Sequence, residues 1–86
     1  MEREKSERML KLIWDFKGPD SARTAEHHAL HLKEYIKIND LSPEIAGFES
    51  VTPEHHIAYL VVYESKMPAV RDGLKPHRGQ IYQNKN

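Results

Sequence analysis

Six histidines in a chain of 86 residues are the side chains with the clearest chemical potential. They form three groups along the sequence: His27, His28 and His31, then His55 and His56, and finally His77. The unperturbed pKa of histidine lies near neutrality, so a histidine beside a carboxylate suits general acid–base catalysis without a cofactor. The chain has no cysteine, which excludes disulfides, thiolate metal sites and cysteine nucleophiles.

An acid–base site would combine a histidine of the first group with an aspartate. The candidate catalytic histidines are His28 and His31, and the candidate partners are Asp15 and Asp40. Asp15 lies near the carboxyl end of the first predicted strand, on the face opposite the apolar residues Trp14 and Phe16. Asp40 lies at a helix end, where a turn residue is the simpler interpretation. The aromatic residues that we expect at a ligand site are Tyr35, Trp14 and Tyr59.

A metal site is the alternative use of the same histidines. His27 and His31 are four residues apart, so on a helix they lie one above the other and can chelate an ion such as zinc, copper or nickel. The helix lacks the glutamate that follows the first histidine in zincins, because His28 occupies that place. A non-enzymatic metal-binding or regulatory module therefore stays open beside the enzyme hypothesis, as does an interaction domain with incidental histidines.

The remaining polar groups have simpler interpretations. His55 and His56 follow a predicted turn and are expected to be mainly loop residues, since neighbouring side chains of a strand point in opposite directions. Arg71 and Asp72 are expected to form a solvated pair. The segment 75–78 is a small basic patch that could meet an anionic ligand, although such patches are more often plain surface.

Charge and hydropathy exclude several classes of protein. Thirteen Lys and Arg balance thirteen Asp and Glu, which disfavours nucleic-acid binding. The longest apolar run, Ile57–Tyr63, is too short to cross a bilayer. The segment Met1–Arg8 alternates in charge and has no apolar core, so it does not resemble a secretory signal, and we expect a cytoplasmic location.

Hydrophobic periodicity predicts the elements that must position these residues. Alternation from Met9 through Phe16 predicts a strand, and an apolar stripe predicts an amphipathic helix over 21–38, capped by Asp20 or Ser21. On a helical wheel, His28, His31 and Tyr35 border that stripe. Further elements are expected as strands over 45–51, 56–63 and 79–82, and as a short helix that Ser65 caps and that ends at Gly73 or before Pro76.

The element order strand, helix, strand, strand, helix, strand predicts an α+β, ferredoxin-like β-α-β-β-α-β sandwich: one antiparallel sheet with both helices on one face. We expect a single domain over 9–83, between a charged leader, 1–8, and a polar tail, 84–86. The third strand is apolar on both faces, so something must cover the sheet face that carries no helix. A homodimer packed through its sheets is the expectation, with a monomer as the alternative.

Several short segments resemble the YCII-related proteins, which are small proteins built on the ferredoxin-like dimeric α+β barrel. They are Met9-Leu10, His31-Leu32, Ala46-Gly47 and Val62-Tyr63-Glu64-Ser65, within a likeness that covers roughly 9–76. The resemblance implies a dimer with a pocket between sheet and helices, and a histidine and an acid as the catalytic pair. His31 matches the histidine position directly and Asp40 lies about where some relatives have the acid.

The resulting hypothesis is a small homodimeric protein, without cofactor, that binds a small organic molecule and performs acid–base chemistry with a helix histidine and an aspartate. The alternative is the metal-binding or interaction module that uses the histidine-rich helix. No nucleic acid or membrane is expected as a partner. The identity of the substrate does not follow from the sequence.

Overall fold

The computed structural model describes residues 8–41 and 43–82. The elements follow the predicted order, with bounds within one or two residues of those expected from periodicity. They are strand β1 (Met9–Lys17), helix α1 (Ser21–Asn39), strands β2 (Ala46–Thr52) and β3 (His55–Tyr63), a 3₁₀ turn (Glu64–Lys66), helix α2 (Met67–Leu74) and strand β4 (Arg78–Tyr82).

The four strands form one antiparallel sheet in the order β2-β3-β1-β4. The two long strands, β1 and β3, are central, and the shorter β2 and β4 are the edges. Residues opposite each other in the register share a face of the sheet. The predicted antiparallel α+β architecture with two helices is therefore confirmed.

The face of the sheet that carries Leu12, Trp14 and Phe16 packs against the helices, and we call it the helix face. Its core draws on alternate positions of β1 and β3 and on the predicted apolar stripe of α1, and α2 adds only Val70 as a buried residue. The buried members are Leu12, Trp14, Ala29, Leu32, Ile36, Ala58, Leu60, Val62 and Val70. Trp14 is anchored as well as buried, because its Nε1–H donates to the Leu74 carbonyl at 3.0 Å.

The opposite face, which we call the open face, buries its apolar residues within the single chain. Ile13, Ile57 and Val61 are only 2%, 5% and 0% exposed. In the register, Ile13 lies between Tyr59 and Arg78 on the neighbouring strands, so long side chains flank it. Burial of these residues therefore does not by itself require a second copy, and the homodimer packed through its sheets stays a prediction.

The start of α1 is held by contacts that the capping prediction did not include. Asp20 occupies the N-cap position but makes no side-chain capping hydrogen bond. The buried Ser21 hydroxyl instead shares a hydrogen bond of 2.7 Å with Nδ1 of His56. The preceding Gly18 has a φ of +109° and donates its N–H to the Glu54 carbonyl at 2.8 Å. The β1–α1 connection is thus fastened to the β2–β3 turn.

The second helix starts later than predicted. Ser65 lies inside the 3₁₀ turn, and the N-cap position of α2 falls at Lys66, with Pro68 in the first helical turn. Both helices end on a residue in the left-handed conformation, Asp40 for α1 and Lys75 for α2. Asp40 is therefore the turn residue that ends α1, with its N–H directed to the carbonyls of that helix.

The predicted leader and tail fall mostly outside the described residues, which begin at Arg8 and end at Tyr82. Arg8 pairs with Glu64 through Nη2 and Oε2 at 2.9 Å, so this leader residue contacts the end of β3. Within the described residues, neither helix is long and apolar enough to cross a membrane.

Two glycines provide a matched test of this backbone. Gly73→Ala is expected to raise the free energy of unfolding by about 0.5–1 kcal/mol, because alanine favours a helix and its Cβ would meet only the Tyr35 hydroxyl at 3.7 Å. Gly18→Ala is expected to lower it by about 1 kcal/mol, because a Cβ is strained at positive φ. Nothing lies within 4 Å of a Cβ at Gly18, so only the backbone is tested there. Urea denaturation measures both; a stabilising Gly18→Ala would contradict the turn geometry.

Candidate functional site

The first group of histidines lines a surface cavity of about 360 Å³, which we call the α1 pocket. One face of the first half of α1 forms most of its lining, and Phe16 at the end of β1 forms the rest. The lining residues are Phe16, Arg23, Thr24, His27, His28 and His31. The helical repeat brings residues that are three, four or eight positions apart onto one face, so the sequence spacing itself builds this wall.

His28 is the innermost of these histidines. Its ring lies against Trp14, with centroids 4.9 Å apart, and against the edge of Phe16 at 5.5 Å. Burial lowers the pKa of His28, and nearby His31 and His77 lower it further. The imidazole is therefore neutral at neutral pH.

One nitrogen of that ring lacks a partner. Within residues 8–41 and 43–82, His28 Nε2 is the one buried side-chain nitrogen or oxygen for which no hydrogen-bond partner is found. An unpaired buried polar atom costs about 1–3 kcal/mol, so such atoms call for an explanation in a native structure.

The rings of His27 and His31 stack instead of converging on a common point. Their centroids are 4.8 Å apart and the planes are 13° from parallel. His31 is exposed, and its Nδ1 lies 3.7 Å from Glu34 Oε1. The described part of the chain contains no group of three or more His, Asp or Glu residues arranged to hold a metal ion. The metal hypothesis is left with two histidines and no third protein ligand.

Asp15 has partners, but they are not the helix histidines. On the open face its carboxylate accepts two hydrogen bonds from Arg78, from Nε at 2.9 Å and from Nη2 at 3.0 Å, and one from Nε2 of His55 at 2.8 Å. In the register Asp15 is diagonal to both residues, since it faces Ile57 while His55 faces Lys17. We call Asp15, His55 and Arg78 the Asp15 cluster.

The Asp15 cluster fixes the charge state of its carboxylate. The bidentate Arg78 guanidinium holds the pKa of Asp15 far below its ordinary value, and the His55 hydrogen bond acts in the same direction, against the opposing effect of desolvation. Because Arg78 already compensates this negative charge, Asp15 is a weak partner for a histidine that must take up a proton. The arrangement favours a structural role.

A further histidine binds the backbone of the same residue. The Asp15 N–H donates to His77 Nδ1 at 2.8 Å, and the His77 N–H donates to the Ile13 carbonyl at 2.9 Å. Nδ1 of His77 is an acceptor here, so the ring hydrogen is on Nε2. The connection between α2 and β4 is thereby attached to the end of β1.

The predicted catalytic pair is not assembled. Asp15 lies on the open face, and the sheet separates it from His28 and His31. Asp40 is exposed and lies nine residues beyond His31 along α1, about 13 Å at the rise of a helix. Neither aspartate is brought to a helix histidine.

The three predicted ligand-binding aromatic residues are also dispersed. Trp14 lies beneath His28, but Tyr35 packs against the core near Gly73. Tyr59 lies on the open face over Gly47, where Lys11 Nζ sits 4.5 Å from its ring centroid and burial raises its pKa. None of the three lines the α1 pocket, and Trp14 contacts it only through the ring of His28.

His55 and His56 were predicted to be loop residues, and this is wrong. Both belong to β3, with one side chain on each face: His55 binds Asp15 and His56 binds Ser21. The alternation of strand side chains was the available signal, because it places His55 on the same face as Asp15 once the hairpin register is known.

No match was found when the sequence was compared with models of known protein families and with curated proteins, or when the structure was compared with solved structures.

Asp15 makes the stability of this protein sensitive to acid. Because its pKa is depressed in the folded state, the contribution of the Asp15 cluster is fully present above the unfolded aspartate pKa of about 3.9 and is lost as the pH falls below it. Asp15→Asn is expected to cost about 1–2 kcal/mol at neutral pH and to flatten the decline in acid. Urea denaturation at neutral pH and at about pH 3 measures both effects.

The matched control is Asp72→Asn, because the Asp72 side chain is 78% exposed and its ion pair with Arg71 is long, at 3.6 Å. This variant should follow the wild-type pH dependence. An Asp15→Asn protein with the wild-type slope in acid would show that the Asp15 cluster does not determine the acid sensitivity.

Proposed function

We propose that this protein binds a small planar organic molecule in the α1 pocket, with neutral His28 as the hydrogen-bonding group. The observation that carries the proposal is the buried, unpartnered Nε2 of His28 in a ring that lines the cavity. Because Nε2 is buried, the ring must rotate to turn this nitrogen toward the cavity, and a ligand that then hydrogen-bonds it would remove the cost of leaving it unpaired. This would favour ligands with a hydroxyl or ring nitrogen over purely apolar molecules.

The surroundings of His28 define the class of ligand further. Phe16 offers an aromatic surface for a planar ring, and Arg23 supplies a positive charge at the same cavity. A phenol or hydroxypyridine that carries an anionic substituent satisfies both. The volume of about 360 Å³ lies at the lower end of the range for small-molecule sites, about 300–1,000 Å³.

The proposal is one of binding, because neither predicted aspartate lies beside a helix histidine and the Glu34 carboxylate, 3.7 Å from His31, is exposed to solvent. His28 is in its basic form at neutral pH, but neither Asp15 nor Asp40 can orient it. Metal binding by His27 and His31 is the competing function, and it predicts a different sensitivity to mutation: it needs His31 and not His28.

We infer further that the fold is ferredoxin-like and that the chain is related to the YCII-related proteins. The element order and the strand order β2-β3-β1-β4 support the fold assignment. The support for the family is the place of His31 at the edge of the α1 pocket, whereas Asp40 lies apart from it.

A homodimer through the open faces is part of the same proposal, supported by the tyrosines Tyr59, Tyr63 and Tyr82, which lie half-buried there. Light scattering is expected to give twice the chain mass of 10.0 kDa. Tyr63→Glu should shift the mass toward the monomer, because a charge would be buried at the interface. A wild-type protein that is monomeric at high concentration would contradict this proposal.

Ligand binding is tested by NMR with a panel of small phenols and hydroxypyridines that includes 4-hydroxybenzoate. We expect shifts of His28 and Phe16 resonances, and an affinity about five- to tenfold lower in His28→Phe, which keeps a ring but removes the nitrogen. Leu30→Ala is the control, because Leu30 is exposed on α1 and does not line the α1 pocket, and its affinity should stay within about twofold of wild type.

Two results would overturn the binding proposal. One is that no member of the panel shifts the His28 resonances at about 1 mM. The other is that His28→Phe binds 4-hydroxybenzoate as well as the wild type does. Stoichiometric zinc or copper binding that His31→Phe abolishes and His28→Phe does not would establish the competing metal function.

A further inference from the structure

A second and larger cavity lies on the other side of the helix face, between α2 and the β1–β4 half of the sheet. Its volume is about 480 Å³. We call it the α2 groove. Its apolar surface comes from Leu10 and Leu12 of β1, Ile81 of β4 and Met67 of α2. None of these residues lines the α1 pocket.

The groove exists because α2 covers this half of the sheet incompletely. Val70 is the one buried residue of α2, while Ile81, on the helix face of β4, is 51% exposed. Gly79 faces the same way and lies opposite Leu12 in the register. A Cβ at Gly79 would come within 3.3 Å of Leu12 Cδ2, so the missing side chain keeps the groove open next to Leu12.

The wall of the groove is cationic. Arg71 lines it from α2 and forms a loose ion pair with the neighbouring Asp72, from Nε to Oδ1 at 3.6 Å. Arg78 also lines the groove, but both of its hydrogen bonds go to Asp15. His77 directs Nδ1 to the Asp15 N–H and therefore keeps its ring hydrogen on Nε2, a second donor at this wall.

Positively charged residues are concentrated around this groove, although the net charge of the whole chain is zero. The segment 64–82 contains Lys66, Arg71, Lys75 and Arg78 against two acids, and one cation remains in excess when Asp15, which binds Arg78, is included, whereas the complete chain is formally neutral. A local excess of cations around an apolar floor is complementary to a molecule with an anionic head and an apolar tail. A neutral apolar molecule would leave this charge unused.

We propose that the α2 groove binds an organic acid with an aliphatic chain, its carboxylate on Arg71 and the His77 Nε2–H and its chain along Leu10, Leu12 and Ile81. Arginine suits a carboxylate because its fork of N–H groups binds both oxygens. The flexible Met67 side chain adapts the opposite wall to chains of different shape. This site is separate from the α1 pocket and does not depend on a ligand there.

The test uses octanoate as the probe and 1-octanol as its uncharged analogue. Backbone amide NMR of the full chain is expected to show octanoate shifting resonances of Leu10, Leu12, Gly79 and Ile81, with a dissociation constant of about 1 mM or below. Arg71→Gln should weaken octanoate about five- to tenfold and leave 1-octanol unchanged. Gly79→Val should weaken both, because its side chain fills the groove.

Lys66→Gln is the matched control, since it removes the same charge from a residue next to α2 that does not line the groove. Its octanoate affinity should stay within about twofold of wild type. His28→Phe should also bind octanoate normally, which separates this site from the α1 pocket.

The proposal is wrong if octanoate produces no shifts at about 1 mM, if its shifts map to residues outside the groove, or if Arg71→Gln and Lys66→Gln weaken it equally. Equal affinity for octanoate and 1-octanol would likewise contradict the proposal, because it would show that Arg71 does not bind the carboxylate. Because Arg71 is exposed and on the helix surface, Arg71→Gln should fold normally, and the test holds even if Gly79→Val is unstable.

Discussion

The hydrogen bonds of Asp15 determine how the carboxyl end of β1 is joined to the rest of the protein. The carboxylate connects β1 to Arg78 on β4 and to His55 on β3, and the backbone N–H connects it to His77. Three separate parts of the chain thus meet at one residue. Both cavities border this point, because Phe16, the next residue, lines the α1 pocket and His77 lines the α2 groove.

Strand alternation explains why Asp15 cannot form the expected catalytic pair with a histidine of α1. Trp14 and Phe16 are on the helix face, so Asp15 between them must be on the open face. A histidine on α1 can reach Trp14 and Phe16 but not Asp15. The same residue pattern that makes β1 a good strand therefore gives the aromatic residues to the helix histidines and the carboxylate to β3 and β4.

The sequence was informative where one periodic pattern defines an element. The alternation of β1, the apolar stripe of α1 and the turns between elements predicted their order and their bounds, because burial depends on spacing alone. Spacing on α1 also placed His27, His28 and His31 at one cavity. The cap at Ser65 was misjudged because a 3₁₀ turn precedes α2, and local propensity does not distinguish the two kinds of turn.

The contacts between elements could not be read in this way. The Asp15 cluster depends on the exact register of three strands, and a shift by one residue would place its members on opposite faces. The α2 groove combines Leu10, Met67 and Ile81, which are far apart in sequence, with a gap that depends on how closely α2 approaches the sheet. Alternation assigns Asp15 and His55 to one face only once the register is known, and the α2 groove leaves no signal in composition or periodicity.

Two hydrogen bonds, Gly18 with Glu54 and Ser21 with His56, join the β1–α1 connection to the β2–β3 turn. They make the two halves of the molecule differ in rigidity. The half that contains α1 is cross-linked at its loops as well as through its core, so it opens only at a high energetic cost. On the other side, α2 itself is held by one buried valine and one indole hydrogen bond, whereas β4 is joined to β1 by its strand pairing and by Arg78. Amide hydrogen exchange should therefore be faster in α2 than in α1, and a molecule bound beneath α2 would stiffen that helix without changing the shape of the protein.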